Sequence, residues 1–104
     1  MSKPTLLEID FHKDMLEIYR TAKEECGYNA VRFLQMVSNE GGLQTARKLL
    51  ATAEPSEGFT ELWINHLLDL TMENLVLKLK YRSLFTDQEI EIARERLTPN
   101  GFTI

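Results

Sequence analysis

Leu84-Phe-Thr-Asp-Gln-Glu-Ile-Glu-Ile-Ala-Arg-Glu-Arg-Leu97 carries a full set of helix signals. Thr86 is a preferred N-cap, whose hydroxyl can accept from an orphan backbone N–H, and Glu89 three positions on completes a capping box. Phe85 before the cap and Ile90 at the fourth helical position form a hydrophobic staple. Ile90, Ala93 and Leu97 then recur at helical spacing, and Pro99-Asn100-Gly101 stops the run. The same device occurs twice upstream. Thr71 is flanked by Leu70 and Leu75, and Asn29 by Tyr28 and Phe33.

Helical spacing extends over nearly the whole chain. Phe11, Met15, Ile18, Ala22 and Cys26 make one apolar face, opposite Lys13, Asp14, Glu17, Arg20 and Glu24, and Gly27 ends the segment. A second helix is predicted over Ala30 to Asn39, stopped by Gly41-Gly42. Leu43, Ala46, Leu49 and Leu50 mark a third, ending near Pro55. Phe59, Leu62, Trp63, His66, Leu67 and Leu70 mark a fourth, and Leu75, Val76 and Leu79 a short fifth. No stretch alternates as a strand would, and no repeat or low-complexity segment occurs. The prediction is an all-α, compact single-domain bundle of five or six short helices. Its ordered core should span about 8–97, with flexible ends at 1–7 and 98–104.

The chain has 104 residues, enough for one domain to bury a core without disulfides or metal. Its single cysteine cannot form an internal bridge, which fits a reducing compartment. Glu8 and Asp10 interrupt any apolar run behind the first residues, and no run reaches the length of a membrane span. The expected location is the cytoplasm. The net charge is −4, with the acidic excess at the two ends. A phosphate-binding protein would show a basic stripe. The nearest approach is Lys78-Leu-Lys-Tyr-Arg82, which also fits cations gathered at a helix C-terminus.

Catalytic chemistry finds little footing. Cys26 follows Glu24 and Glu25 at a helix C-terminus, where charge and dipole both disfavour a thiolate, so a buried structural cysteine is expected. His12 lies one turn from Glu8, but no His-Glu-x-x-His or Glu-x-x-His spacing occurs and no second cysteine could join a metal site. His66 falls on the apolar side of its helix, as a hydrogen-bonded core or boundary histidine would. Gly41-Gly42 lacks the remainder of a phosphate loop. No catalytic residue, cofactor or metal ligand is assigned.

Phe11 to Leu97 resembles a recurrent small bacterial helical module. The segments that carry the likeness are Gly27–Met36, Gly41–Leu50, Gly58–Trp63, Leu68–Leu77 and Leu84–Leu97. It implies a bacterial cytoplasmic protein and supplies no catalytic residue. The functional expectation is a non-catalytic interaction or regulatory module whose partner is another protein or a second copy. Trp63, Phe59, Tyr28, Tyr81, Met36 and Met72 are the adaptable apolar groups such a module would use. Trp63 is expected in the core; Tyr81, Arg82, Lys78 and Lys80 are the candidate partner-binding surface. The alternative is a DNA-associated accessory protein using the helix–Gly-Gly–helix hairpin at 30–50. That turn has a superficial likeness to AT-rich-interaction DNA-binding domains, and Gln44, Arg47 and Lys48 would be its exposed donors.

Overall fold

A computed structural model describes residues 4–100. The longest element, α1 (Leu6–Cys26), begins where the Thr5 hydroxyl accepts from the Glu8 N–H. It turns Phe11, Met15 and Ala22 into the core and ends at Gly27. α2 (Val31–Glu40), α3 (Gly42–Leu50) and α4 (Glu57–Ile64) follow. A 3-10 turn (Leu68–Leu70) leads into the short α5 (Met72–Val76), a second (Arg82–Leu84) into α6 (Asp87–Leu97), and a third (Thr98–Asn100) follows. The described residues are all-α and contain no strand. A Cα radius of gyration of 12.8 Å is what a single domain of this length requires.

α1 packs on α2, α3 and α5, while α6 closes the other side against α3 and α5. One continuous core holds Phe11, Met15, Val37, Leu50, Val76, Tyr81 and Leu97. The α1–α3 crossing is set by Gly42 against His12. A Cβ on Gly42 would lie 2.7 Å from the His12 Cα, so only glycine permits this approach. His12 Nδ1 then accepts the Gly42 N–H at 2.9 Å and caps α3 from another helix. Gly41, at φ 89°, supplies the bend between α2 and α3.

The caps at Thr71 and Thr86 form as predicted, the latter as a complete capping box. Asn29 does not cap. Its Oδ1 accepts from the Tyr19 hydroxyl at 2.6 Å, and α2 has Ala30 at its N-cap position, with no side-chain cap. The fourth helix is shorter than its apolar spacing predicts. His66 takes φ 60°, its N–H bonds to the Trp63 carbonyl and the Leu67 N–H reaches the Leu62 carbonyl at 2.7 Å. That pair of bonds is a Schellman ending, in which the left-handed residue satisfies the last carbonyls. His66 is therefore exposed at a helix end rather than in the core. At the two ends of the described chain, Thr5 to Leu7 form the cap and first turn of α1, and Thr98 to Asn100 a 3-10 turn. The rest of the predicted flexible ends, 1–3 and 101–104, lies outside the described residues.

Arg96 ties three elements together. Its Nη1 bonds to Glu73 Oε2 at 3.0 Å and to the Leu49 carbonyl at 3.1 Å, and its Nη2 to the Thr52 carbonyl at 2.9 Å. An arginine from α6 thus satisfies the carbonyls at the end of α3 and holds the carboxylate of α5. Among the described residues no helix is long and apolar enough to cross a membrane.

Candidate functional site

Of the six adaptable apolar residues singled out in the sequence, four surround one cavity. Tyr28, Met36, Phe59 and Met72 face a space of about 290 Å³ between α1, α2, α4 and the start of α5. Ile18 and Ala22 complete the α1 wall, Phe33 the α2 wall and Leu62 the α4 wall. These walls arise because α1, α2 and α4 each bring an apolar stripe to the same point, with Gly58 and Ala30 adding little bulk where they line it. Polar groups are few and separately placed. The Tyr19 hydroxyl is spent on Asn29. Burial pushes the Tyr28 phenol above its ordinary range, and the charges of Glu57 and Glu61 push the same way. Glu73 lies at the cavity with its carboxylate held by Arg96. Arg32 and Glu57 are the exposed lining residues.

The other two adaptable residues exchange their predicted places. Trp63 is 45% exposed, and Ile64 beside it 58%, so the end of α4 presents an apolar pair to solvent. Tyr81 is 1% exposed. Its ring packs edge-on to Phe11 with centroids 5.1 Å apart, and its hydroxyl donates to Asp14 Oδ2 at 2.5 Å. Burial, reinforced by that bond, raises the Tyr81 phenol well above its ordinary value. A tyrosine beyond a short helix becomes core because a carboxylate on α1 satisfies its one polar atom. Tyr81 is thus no surface group.

Its neighbours stay outside. Lys80 pairs with Asp10 at 3.3 Å and lies 5.2 Å from the centre of the Tyr81 ring. Arg82 bends back to donate from Nε to the Leu77 carbonyl at 2.8 Å. Lys78 and Leu79 are exposed.

On α3, Gln44, Arg47 and Lys48 share one exposed face, as their spacing predicts. Arg47 donates to the Leu84 carbonyl at 2.8 Å and lies 3.7 Å from Glu89, while Lys48 pairs with Glu40. Arg47 and Lys48 therefore each face a carboxylate of their own chain. His12 serves Gly42, and Cys26, only partly buried, donates its thiol to the Ala22 carbonyl at 3.2 Å. Among the described residues no three histidine, cysteine or acidic side chains gather as a metal site would require.

Sequence reasoning did not single out Glu73, Arg96 or Arg32. Glu73 follows the Thr71 cap and looks like an acid placed for the helix dipole, so nothing local marks it as buried. No family model, curated protein or solved structure matches this chain.

Proposed function

We infer that the chain is a non-catalytic protein-interaction module, bacterial and cytoplasmic as the resemblance implies, which docks a basic amphipathic protein segment on the outer end of α4. The observation that carries this is the exposed pair Trp63 and Ile64. Burying a fully exposed side chain of this kind is worth about 1.5–3 kcal/mol. Trp63 and Ile64 each retain roughly half of that exposure, so together they still supply a usable anchor. Tryptophan is also the residue most enriched among energetically dominant contacts.

Charge selects the partner. From Leu49 to Leu77 the chain has no lysine or arginine but contains Glu54, Glu57, Glu61, Asp69 and Glu73. Glu73 is consumed by Arg96, whereas Glu54, Glu57 and Asp69 are exposed. An apolar pair within an acidic stretch favours a segment that brings leucine-type side chains flanked by lysine or arginine. A second copy would bring like charges together.

Trp63 is the only tryptophan, so its fluorescence reports the contact directly. Titration with an amphipathic leucine–lysine peptide should shift its emission to the blue, less so at high salt, and Ile64→Glu should abolish the shift. An unshifted spectrum with helicity intact would overturn the reading. A shift that depends on protein concentration alone would replace the basic segment by a second copy. The alternative built on Gln44, Arg47 and Lys48 is checked by adding duplex DNA at low salt, where binding lost in Arg47→Ala would support it.

A further inference from the structure

We propose that the cavity walled by α1, α2 and α4 is a binding site for a small apolar carboxylic acid, its chain among Phe33, Met36, Phe59 and Met72 and its carboxylate on Arg32. This goes beyond the docking of a protein on the outside of α4 and does not depend on it.

Three observations converge. The first is size and lining. At about 290 Å³ the cavity stands at the lower end of small-molecule sites, and its walls have the usual character of such sites, apolar with few polar groups. Two of its polar lining groups are already engaged: the Tyr19 hydroxyl by Asn29 and the Glu73 carboxylate by Arg96. The second is the charge at its edge. Arg32 lines the cavity, is exposed, and has no hydrogen-bond or ion-pair partner among the described residues. The third is that this cation is badly placed for the fold. It occupies the first turn of α2, which carries no acid, and there the helix dipole opposes a positive charge. Glu57 also lines the cavity, but it sits in the first turn of α4, where the dipole favours it. The acid at the edge is thus satisfied by its own helix, and the base is not. An anionic head group would supply the missing partner by a forked hydrogen bond that only a guanidinium can offer.

The test uses the whole chain with its methionine methyl groups labelled for NMR. Met36 and Met72 line the cavity, whereas Met15 is buried in the core and does not line it. Decanoate, added below its micelle concentration, should shift the Met36 and Met72 signals saturably and leave Met15 in place. Arg32→Gln, a surface change that leaves the core intact, should weaken the affinity about tenfold. Decylammonium should bind at least tenfold more weakly than decanoate. No saturable shift with decanoate would overturn the site. Equal binding of decylammonium, or of decanoate by Arg32→Gln, would overturn the assignment of the head group.

Discussion

Arg96 and Glu73 form an ion pair at 3.0 Å with both side chains almost out of water, 8% and 2% exposed. Neither could be buried alone, because an unpaired charge in the interior costs several kcal/mol. The pair makes the end of α3, the start of α5 and the last turns of α6 interdependent. Arg96→Met leaves the Glu73 carboxylate stranded and should cost about 3–5 kcal/mol in urea denaturation. The double variant Arg96→Met with Glu73→Leu should recover much of that loss. Simple additivity of the two single changes would show that the pair is not coupled.

The same carboxyl gives stability a direction with pH. Desolvation raises the Glu73 pKa, against the pull of its own backbone N–H and of Arg96. Between the ordinary carboxyl value and the raised one, the folded chain therefore holds a proton that the unfolded chain has lost. The favourable contribution is complete below the ordinary value and disappears as pH rises through the raised one. Glu73→Gln removes this titration. The difference in unfolding free energy between wild type and Glu73→Gln should shift in favour of the variant as pH rises across that window. A difference that stays flat would mean that Glu73 titrates alike in both states.

Gly42→Ala places a Cβ against the His12 backbone, which cannot swing aside as a side chain would. Overpacking of this kind costs about 1–3 kcal/mol, and the lost approach also removes the cap on α3. His12→Ala keeps the room and loses only the acceptor, so about 0.5–2 kcal/mol is expected. Thermal melts should rank wild type above His12→Ala, and His12→Ala above Gly42→Ala.

What the sequence revealed follows from how local each determinant is. Thr71 and Thr86 were legible because the cap, its staple and the backbone N–H it accepts from lie within five residues of one another. Asn29 has the same local pattern and fails because Tyr19, ten positions earlier, claims its oxygen. Leu67 and Leu70 continue the spacing of α4 by chance of phase, and spacing does not register a left-handed residue at His66. The fates of Trp63 and Tyr81 were out of reach for a related reason. Both are large amphipathic rings, and what sends Tyr81 inward is Asp14, 67 positions away. The cavity was half visible: Tyr28, Met36, Phe59 and Met72 could be gathered by residue type, but not their meeting point, nor the misplaced charge of Arg32.

Thr45 supplies a substitution that should stabilise. Its hydroxyl is fully buried and has no hydrogen-bond partner among the described residues. Thr45→Val keeps the shape and removes the unsatisfied group, whose desolvation costs about 1–3 kcal/mol. Valine and threonine have similar helix propensity, so that term cancels. The variant should unfold at a higher urea concentration than wild type with an unchanged slope. A loss of stability would mean that the hydroxyl is satisfied in solution by a bound water.

His66→Gly tests the ending of α4 and, through it, the surface that carries Trp63. A non-glycine residue in the left-handed region costs about 1–2 kcal/mol, and glycine gives back about 0.5–1 kcal/mol of that through its larger entropy loss on folding. The imidazole is exposed and makes no hydrogen bond among the described residues, so little else is lost. A net gain of about 0.5–1 kcal/mol follows, equivalent to roughly 2–8 °C in melting temperature for a domain of this size. The Schellman bonds from His66 and Leu67 to the carbonyls of Trp63 and Leu62 use backbone atoms alone, so they survive the change. Trp63 emission should therefore stay where it is while the melting temperature rises. If the melting temperature falls instead, the left-handed turn is not what ends the helix, and the exposed pair at its end would need another explanation.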